Sequence, residues 1–340
     1  MLLRRARSPS VSDEIDNQDC TAERADNITP IRAETVPAVA LALGGGAARG
    51  WSHIGVLRAF EEANIPINLI SGTSVGALVG ACYLAGKLDE LEEFARGLTK
   101  RKLIGFLDIS LRGSGLISGM KLAERMKEHL GGVTFDQLSH PLICVATEIS
   151  TGHEVWLSQG HVIDSIRASY ALPGIFEPVL HDNRILVDGA LVNPVPVSVC
   201  RAHGSQMVVA INLNSDVNGR AQIIRNKKTA LHQKLHSGVQ SNQSTETESS
   251  SKRSYMRKLL GGNGSIPSIS TVMVESFNII QDRIARSRLA GDPPDITIGP
   301  GVAHIGLAEF HRADEAIEIG YRAAKSRLDD IKCLSEALAA

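Results

Sequence analysis

Ile65-Pro66-Ile67-Asn68-Leu69-Ile70-Ser71-Gly72-Thr73-Ser74-Val75-Gly76-Ala77-Leu78-Val79-Gly80 is the stretch that decides the fold. It opens with an apolar run of strand length and closes on an Ala/Leu-rich helical pattern, with Gly72-Thr73-Ser74-Val75-Gly76 between them. Gly-x-Ser-x-Gly between a strand and a helix marks a nucleophile elbow, a sharp turn that lifts a serine hydroxyl clear of the sheet. Glycine at 72 and 76 lets strand and helix approach with no Cβ in the way. The helix N-terminus then lends partial positive charge to an anion forming beside it. No charge falls between Asn64 and Gly86, a length that on paper spans a bilayer. Asn64, Pro66, Asn68, Ser71, Thr73, Ser74 and three glycines speak instead for a strand, a turn and a helix.

The same alternation extends in both directions. Upstream, Val36 to Leu43 is a continuous apolar run ended by Gly44-Gly45-Gly46, as in a buried parallel strand, and Ile54, Leu57 and Phe60 follow at helical spacing. Downstream, Met120, Ala123 and Met126 predict a helix, Pro141 to Thr147 a strand, and Glu154 to Leu157 a hairpin arm after Thr151-Gly152. Ile163, Ile166 and Tyr170 predict another helix, with strands at Ile185-Leu186-Val187 and Met207 to Leu213. Met273, Phe277, Ile280 and Ile284 share one helical face; Ile296-Thr297-Ile298 reads as a strand, and Ile317, Ala324, Leu328 and Ile331 mark a closing helix. Strands alternating with helices imply an α/β fold around a mostly parallel sheet.

Two regions break the pattern. Residues 1–35 are polar and without apolar periodicity, as in a disordered tail; Arg4, Arg5 and Arg7 are followed by Ser8-Pro9-Ser10 and acidic residues, not by the apolar core of a secretory signal. Residues 214–267 form a polar insertion, with nine Lys/Arg against three Asp/Glu between Ser215 and Leu260. It reads either as a solvated surface insertion or as a basic flap for anionic headgroups. Lys100-Arg101-Lys102-Leu103-Ile104-Gly105-Phe106-Leu107 poses the same choice between membrane docking and a helix end leading into a buried segment.

Composition narrows the function classes. A net charge of −1 gives no field for nucleic acid, so no nucleic-acid partner is expected. Cys20, Cys82, Cys144, Cys200 and Cys333 are odd in number and widely spaced, which reads as reduced thiols of a cytosolic chain. Nothing in the sequence calls for a metal or a cofactor.

Gly44-Gly45-Gly46-Ala47-Ala48-Arg49-Gly50 places bare backbone N–H groups where a helix begins. Arg49 stands where a dinucleotide fingerprint needs its third glycine, and no Gly-Lys-Ser/Thr follows, so an oxyanion hole is the better reading. Arg49 either steadies the loop or meets a lipid phosphate. Asp188 ends a short apolar strand in Val187-Asp188-Gly189-Ala190. Residue physics alone weighs a site-facing carboxylate and a turn aspartate equally.

Taken together, these three motifs resemble the patatin-like phospholipase family, in its bacterial branch related to neuropathy-target-esterase patatin domains. Trp51-Ser52-His53-Ile54-Gly55-Val56-Leu57 and Arg167-Ala168-Ser169-Tyr170-Ala171-Leu172-Pro173-Gly174 add to the likeness, which covers 36–213 strongly and 268–325 loosely. The resemblance implies a three-layer α/β/α fold with a mostly parallel central sheet, one acyl hydrolase domain over 36–335, and hydrolysis of phospholipid or lysophospholipid esters. It assigns Ser74 as nucleophile, Asp188 as base, and Gly45 and Gly46 as oxyanion donors. Gly44, Arg49 and Gly50 complete the loop, Gly72, Thr73, Val75 and Gly76 the elbow, and Gly189 and Ala190 the dyad motif. Ala190 replaces the commoner second glycine. Peripheral contact with an anionic membrane at its inner face is a further expectation. Two rivals remain: a Ser–His–Asp triad drawing on His304 or His311, and an idle lipid- or nucleotide-binding module that kept the fold.

Overall fold

A computed structural model describes residues 38–99, 127–128, 130–215 and 269–339. The expected tail, the Lys100–Leu107 pattern, the Met120–Met126 helix and nearly all of the 214–267 insertion lie outside these residues.

The alternating side chains of the first strand dictate a layered structure. In β1 (Val39–Leu43), Val39, Leu41 and Leu43 belong to the larger apolar core, while Ala40 and Ala42 belong to a smaller one on the opposite face. Five parallel strands form the centre of the sheet in the order β8 (Ile296–Ile298), β7 (Val208–Ile211), β1, β2 (Ile67–Thr73) and β3 (Leu142–Glu148). On the larger core lie α1 (Ser52–Glu62), α2 (Val75–Leu84), α3 (Leu88–Arg96), α4 (Val162–Tyr170), α7 (Ala313–Lys325) and α8 (Leu328–Ala339). The alanine face receives α5 (Val197–Ala202) and, through Ala285, α6 (Ile269–Gly291). Small side chains on that face let these two helices sit close to the sheet. The result is a three-layer α/β/α fold with a mostly parallel sheet.

The antiparallel strands create the site. Val145 pairs with Thr73 of β2 and with Trp156 of β4 (Glu154–Leu157), and Ala146 pairs with Val155 of β4 and with Asp188 of β6 (Arg184–Asp188). A strand has two edges, so β4 follows one and β2 and β6 share the other. Running in opposite directions, β2 and β6 meet end to end beside β3, their C-terminal residues on consecutive partners. That junction brings residues 73–74 and 188 together. β5 (Val179–His181) pairs outside β6.

Most predicted elements are present, including the 65–86 strand–turn–helix, and among the described residues no helix is long and apolar enough to cross a membrane. One expectation is corrected, and one helix packs on a side that its apolar pattern does not indicate. The closing helix is two helices, α7 and α8, interrupted at Ser326 and Arg327, although all four of its marker residues are buried. In α6 the residues turned inward are Asn278, Gln281 and Ala285; of the four residues placed on one helical face, Phe277 and Ile284 are half-buried while Met273 and Ile280 are 57% and 48% exposed. Apolar periodicity located the helix but not the side it packs.

The crossing of α1 and α7 depends on reciprocal glycines. A Cβ on Gly55 would lie 1.9 Å from the Ile317 carbonyl oxygen, and one on Gly320 would lie 1.9 Å from that of Ser52. Backbone cannot yield as a side chain can. Gly320→Ala is therefore expected to destabilise the protein by about 1–3 kcal/mol, since overpacking outweighs the gain in helix propensity of about 1 kcal/mol. The check is the urea-unfolding midpoint; a midpoint at or above that of the parent chain contradicts so close a crossing.

Candidate active site

Ser74 occupies the turn between β2 and α2 with φ 56° and ψ −122°, a backbone conformation that L-residues seldom adopt. The surroundings enforce it. A Cβ on Gly72 would be 2.5 Å from the Ala77 nitrogen, and one on Gly76 would be 2.2 Å from the Leu43 carbonyl oxygen. The Ser74 N–H donates to Ser169 Oγ at 2.9 Å, and that hydroxyl donates to the Val145 carbonyl at 2.6 Å. Thr73 Oγ1 donates to the Asn193 carbonyl at 2.8 Å, tying the elbow to the loop beyond β6.

The Ser74 hydroxyl donates to Asp188 Oδ2 at 2.8 Å. The other carboxylate oxygen, Oδ1, accepts the Ala190 N–H at 2.8 Å, capping the short turn Gly189–Leu191. The turn aspartate and the site-facing carboxylate are thus one residue using two oxygens. The Asp188 N–H donates to the Ala171 carbonyl at 2.9 Å, and its carbonyl accepts Thr147 Oγ1 at 2.9 Å, so the backbone is held on both sides. Burial pushes the Asp188 pKa from 3.8 up to about 7, outweighing the lowering effect of the Ala190 and Ser74 hydrogen bonds.

The glycine loop lies against Ser74: a Cβ on Gly45 would be 3.4 Å from both Ser74 Cβ and Ala190 Cβ. Its N–H groups do not all play one part. That of Gly44 donates to Ile211, and that of Gly45 donates to Pro194 at 2.9 Å, so Gly45 has no proton left for an oxyanion. Among the described residues, the N–H groups of Gly46, Ala47 and Val75 have no hydrogen-bond partner. Arg49 is buried, with Nε donating to the Ile305 carbonyl at 2.8 Å and the guanidinium reaching Asn278 and Ala303; it steadies the loop.

Several residues of the site had no assigned role in the sequence reading. Ser169 lay inside a quoted segment without a function. His53 is wholly buried with Nε2 2.7 Å from the Gly44 carbonyl, and burial lowers its pKa to about 4. A neutral imidazole therefore donates Nε2–H and fixes the Gly44–Gly45 peptide. Glu154 accepts from Asn193 at 2.9 Å and from Arg288 at 3.1 Å, while Arg288 Nε donates to the Val192 carbonyl. These contacts clamp α6 onto the loop after Asp188. Of the histidines weighed for a triad, His304 pairs with Glu315 at 2.8 Å and His311 lies in the short turn Phe310–Arg312. Among the described residues, no histidine is hydrogen-bonded to Ser74 or Asp188.

Comparison with known proteins places the chain in a family. The family model described as patatin-like phospholipase matches residues 41–201, a span that contains the glycine loop, the elbow and Asp188. An uncharacterized NTE family protein of Mycobacterium tuberculosis is 31% identical over 336 residues, covering 88% of this chain and 93% of that protein. The chain belongs to the patatin-like phospholipase family. Within the family, patatin-like phospholipase domain-containing protein 6 of Homo sapiens is 32% identical over 191 residues, 54% of this chain and 14% of that protein. Neuropathy target esterase sws of Drosophila melanogaster is 30% identical over 184 residues, 52% of this chain and 13% of that protein.

A buried carboxylate with a raised pKa is a source of instability for this patatin-like fold. The sign follows from linkage. The stability that the neutral acid contributes is complete below the ordinary pKa of 3.8 and is lost as pH rises to about 7. Asp188→Asn keeps the shape and has no charge to bury. Its melting temperature is expected to exceed that of the parent by a margin that widens from pH 4 to pH 7 and is constant above pH 8, equivalent to about 4 kcal/mol at most. A margin independent of pH contradicts the raised pKa.

Proposed function

We propose that this chain is a serine acyl hydrolase of phospholipid or lysophospholipid esters, using a Ser74–Asp188 dyad. The observation that carries the reading is the 2.8 Å hydrogen bond from the Ser74 hydroxyl to a fully buried carboxylate whose pKa burial has raised to about 7. An aspartate of ordinary pKa is a poor base for a serine hydroxyl; one titrating near neutrality is well matched to general-base work.

In this mechanism Asp188 takes the proton as Ser74 Oγ attacks the ester carbonyl. The resulting oxyanion is stabilised by the uncommitted N–H groups of Gly46, Ala47 and Val75 and by the N-terminus of α2. Asp188 then returns the proton to the departing glycerol oxygen, leaving an acyl group on Ser74. Water, deprotonated by the same carboxylate, attacks the acyl group, and Asp188 returns that proton to Ser74 Oγ as the fatty acid leaves. His53 and Ser169 act as positioning residues for the loop and the elbow.

The lipid class of the substrate rests on family membership, supported by the names of the human and fly relatives. The triad reading has no observation in its favour, since His304 is engaged by Glu315. The idle-module reading is separated by turnover. The purified chain is expected to release fatty acid from a lysophospholipid panel and to be labelled by a fluorophosphonate probe at Ser74, with both lost in Ser74→Ala. Asp188→Asn is expected to lower kcat by about 10³-fold or more, and His304→Ala with His311→Ala to leave it unchanged. Retained turnover in Asp188→Asn removes Asp188 from the chemistry.

A further inference from the structure

We propose that the exposed apolar face of α6 docks on an anionic phospholipid surface, setting the mouth of the Ser74 site against the lipid; this deepens the lipid-ester reading and rests on it.

The helix is inside out for a surface helix of a globular protein, whose apolar stripe normally faces the core. Its inward side carries Asn278 and Gln281, 2% and 5% exposed, while Val272, Met273, Ile279 and Ile280 are about half exposed. These four are not scattered. Val272 and Ile279 are seven residues apart and stack on one stripe, Met273 and Ile280 on the next, and Ser276 lies between. The face covers about 12 Å of helix. Toward the C-terminus it continues into Arg283 on the Ser276 stripe and Arg286 on the Val272–Ile279 stripe, while one acidic residue, the exposed Glu275, flanks the apolar patch. Arg286 pairs with Asp282, whereas Arg283 has no ion pair among the described residues. Hydrophobic turns followed by arginines on one face suit a helix lying at a lipid interface, with side chains among the acyl chains and guanidinium groups at the phosphates.

Position links this face to the catalytic centre. Met273 Cε lies 3.3 Å from where a Cβ on Gly174 would be, in the loop between Ala171, which holds the Asp188 N–H, and β5. At its other end α6 is clamped beside the dyad loop through Arg288. A second copy of the chain is a poorer occupant. Four half-exposed side chains offer on the order of 300–400 Å², well below the roughly 800 Å² per partner of a standard stable interface.

The test uses the whole chain carrying Ser74→Ala, so that binding is read without turnover, in co-sedimentation with vesicles of phosphatidylcholine alone or with about 30% phosphatidylglycerol. The Ser74→Ala chain is expected to bind the anionic vesicles with an affinity that falls as salt rises. Adding Met273→Glu and Ile280→Glu is expected to weaken that binding by ~10-fold or more, and Arg283→Glu to remove most of the preference for the anionic lipid. In the Ser74 background, Met273→Glu/Ile280→Glu should hydrolyse a water-soluble short-chain ester at the parental rate, because neither residue touches the dyad. No vesicle binding by the Ser74→Ala chain, or undiminished binding by the double glutamate variant, overturns the proposal. So does a concentration-dependent dimer that the glutamates dissociate, which assigns the face to a second copy. Loss of short-chain hydrolysis in Ser74→Ala is scored separately, so failure of the dyad and failure of the docking face are distinguishable.

Discussion

Everything at this site depends on a carboxylate that has been taken out of water and given only two hydrogen bonds, from the Ser74 hydroxyl and the Ala190 N–H. Desolvation exceeds what those two donors return, so the pKa climbs and the group becomes basic. The sheet makes this possible. Because β2 and β6 meet end to end along β3, the last residue of one strand and the turn after the other share a dry junction. β3, which pairs with both strands, is what brings Ser74 and Asp188 together. The accompanying loss of stability is one of the ways a functional site departs from the best-folded sequence.

The surrounding contacts fix backbone more than they touch chemistry. Ser169 takes the Ser74 N–H, Thr147 holds the Asp188 carbonyl, His53 holds the Gly44 carbonyl, and Pro194 takes the Gly45 N–H. These partners occupy backbone donors and acceptors and hold the elbow and the glycine loop in place. What remains uncommitted around Ser74 is a short set of N–H groups at two chain turns, arranged before any substrate arrives. Neutral His53 suits its part because a protonated imidazole has no place in so buried a position.

The elbow was legible in the sequence because its chemistry is local: a strand, a tight glycine turn and a helix fit within twenty residues. The layered architecture was legible through the alternation of apolar runs, whereas the strand order was not, because it depends on which strands pair across long stretches of chain. Asp188 was half legible. Its neighbours suggested a strand end, but only the register of β6 on β3 sets its second carboxylate oxygen against Ser74, and register is a long-range property. Gly45 shows the same limit, since the motif marks a loop of bare amides while Pro194, far along the chain, decides which are free. The inversion of α6 was illegible because periodicity reports which residues share a face and not what that face meets. Gly55 and Gly320 are ordinary glycines until two helices cross.

The most direct measurement is the rate of fluorophosphonate labelling of Ser74 as a function of pH, in the parent chain and in Asp188→Asn. A buried Asp188 acting as base gives a rate that rises through one inflection near pH 7 in the parent and is low and without that inflection in the variant. Equal rates in the two proteins, or an inflection that persists without the carboxylate, would contradict the account.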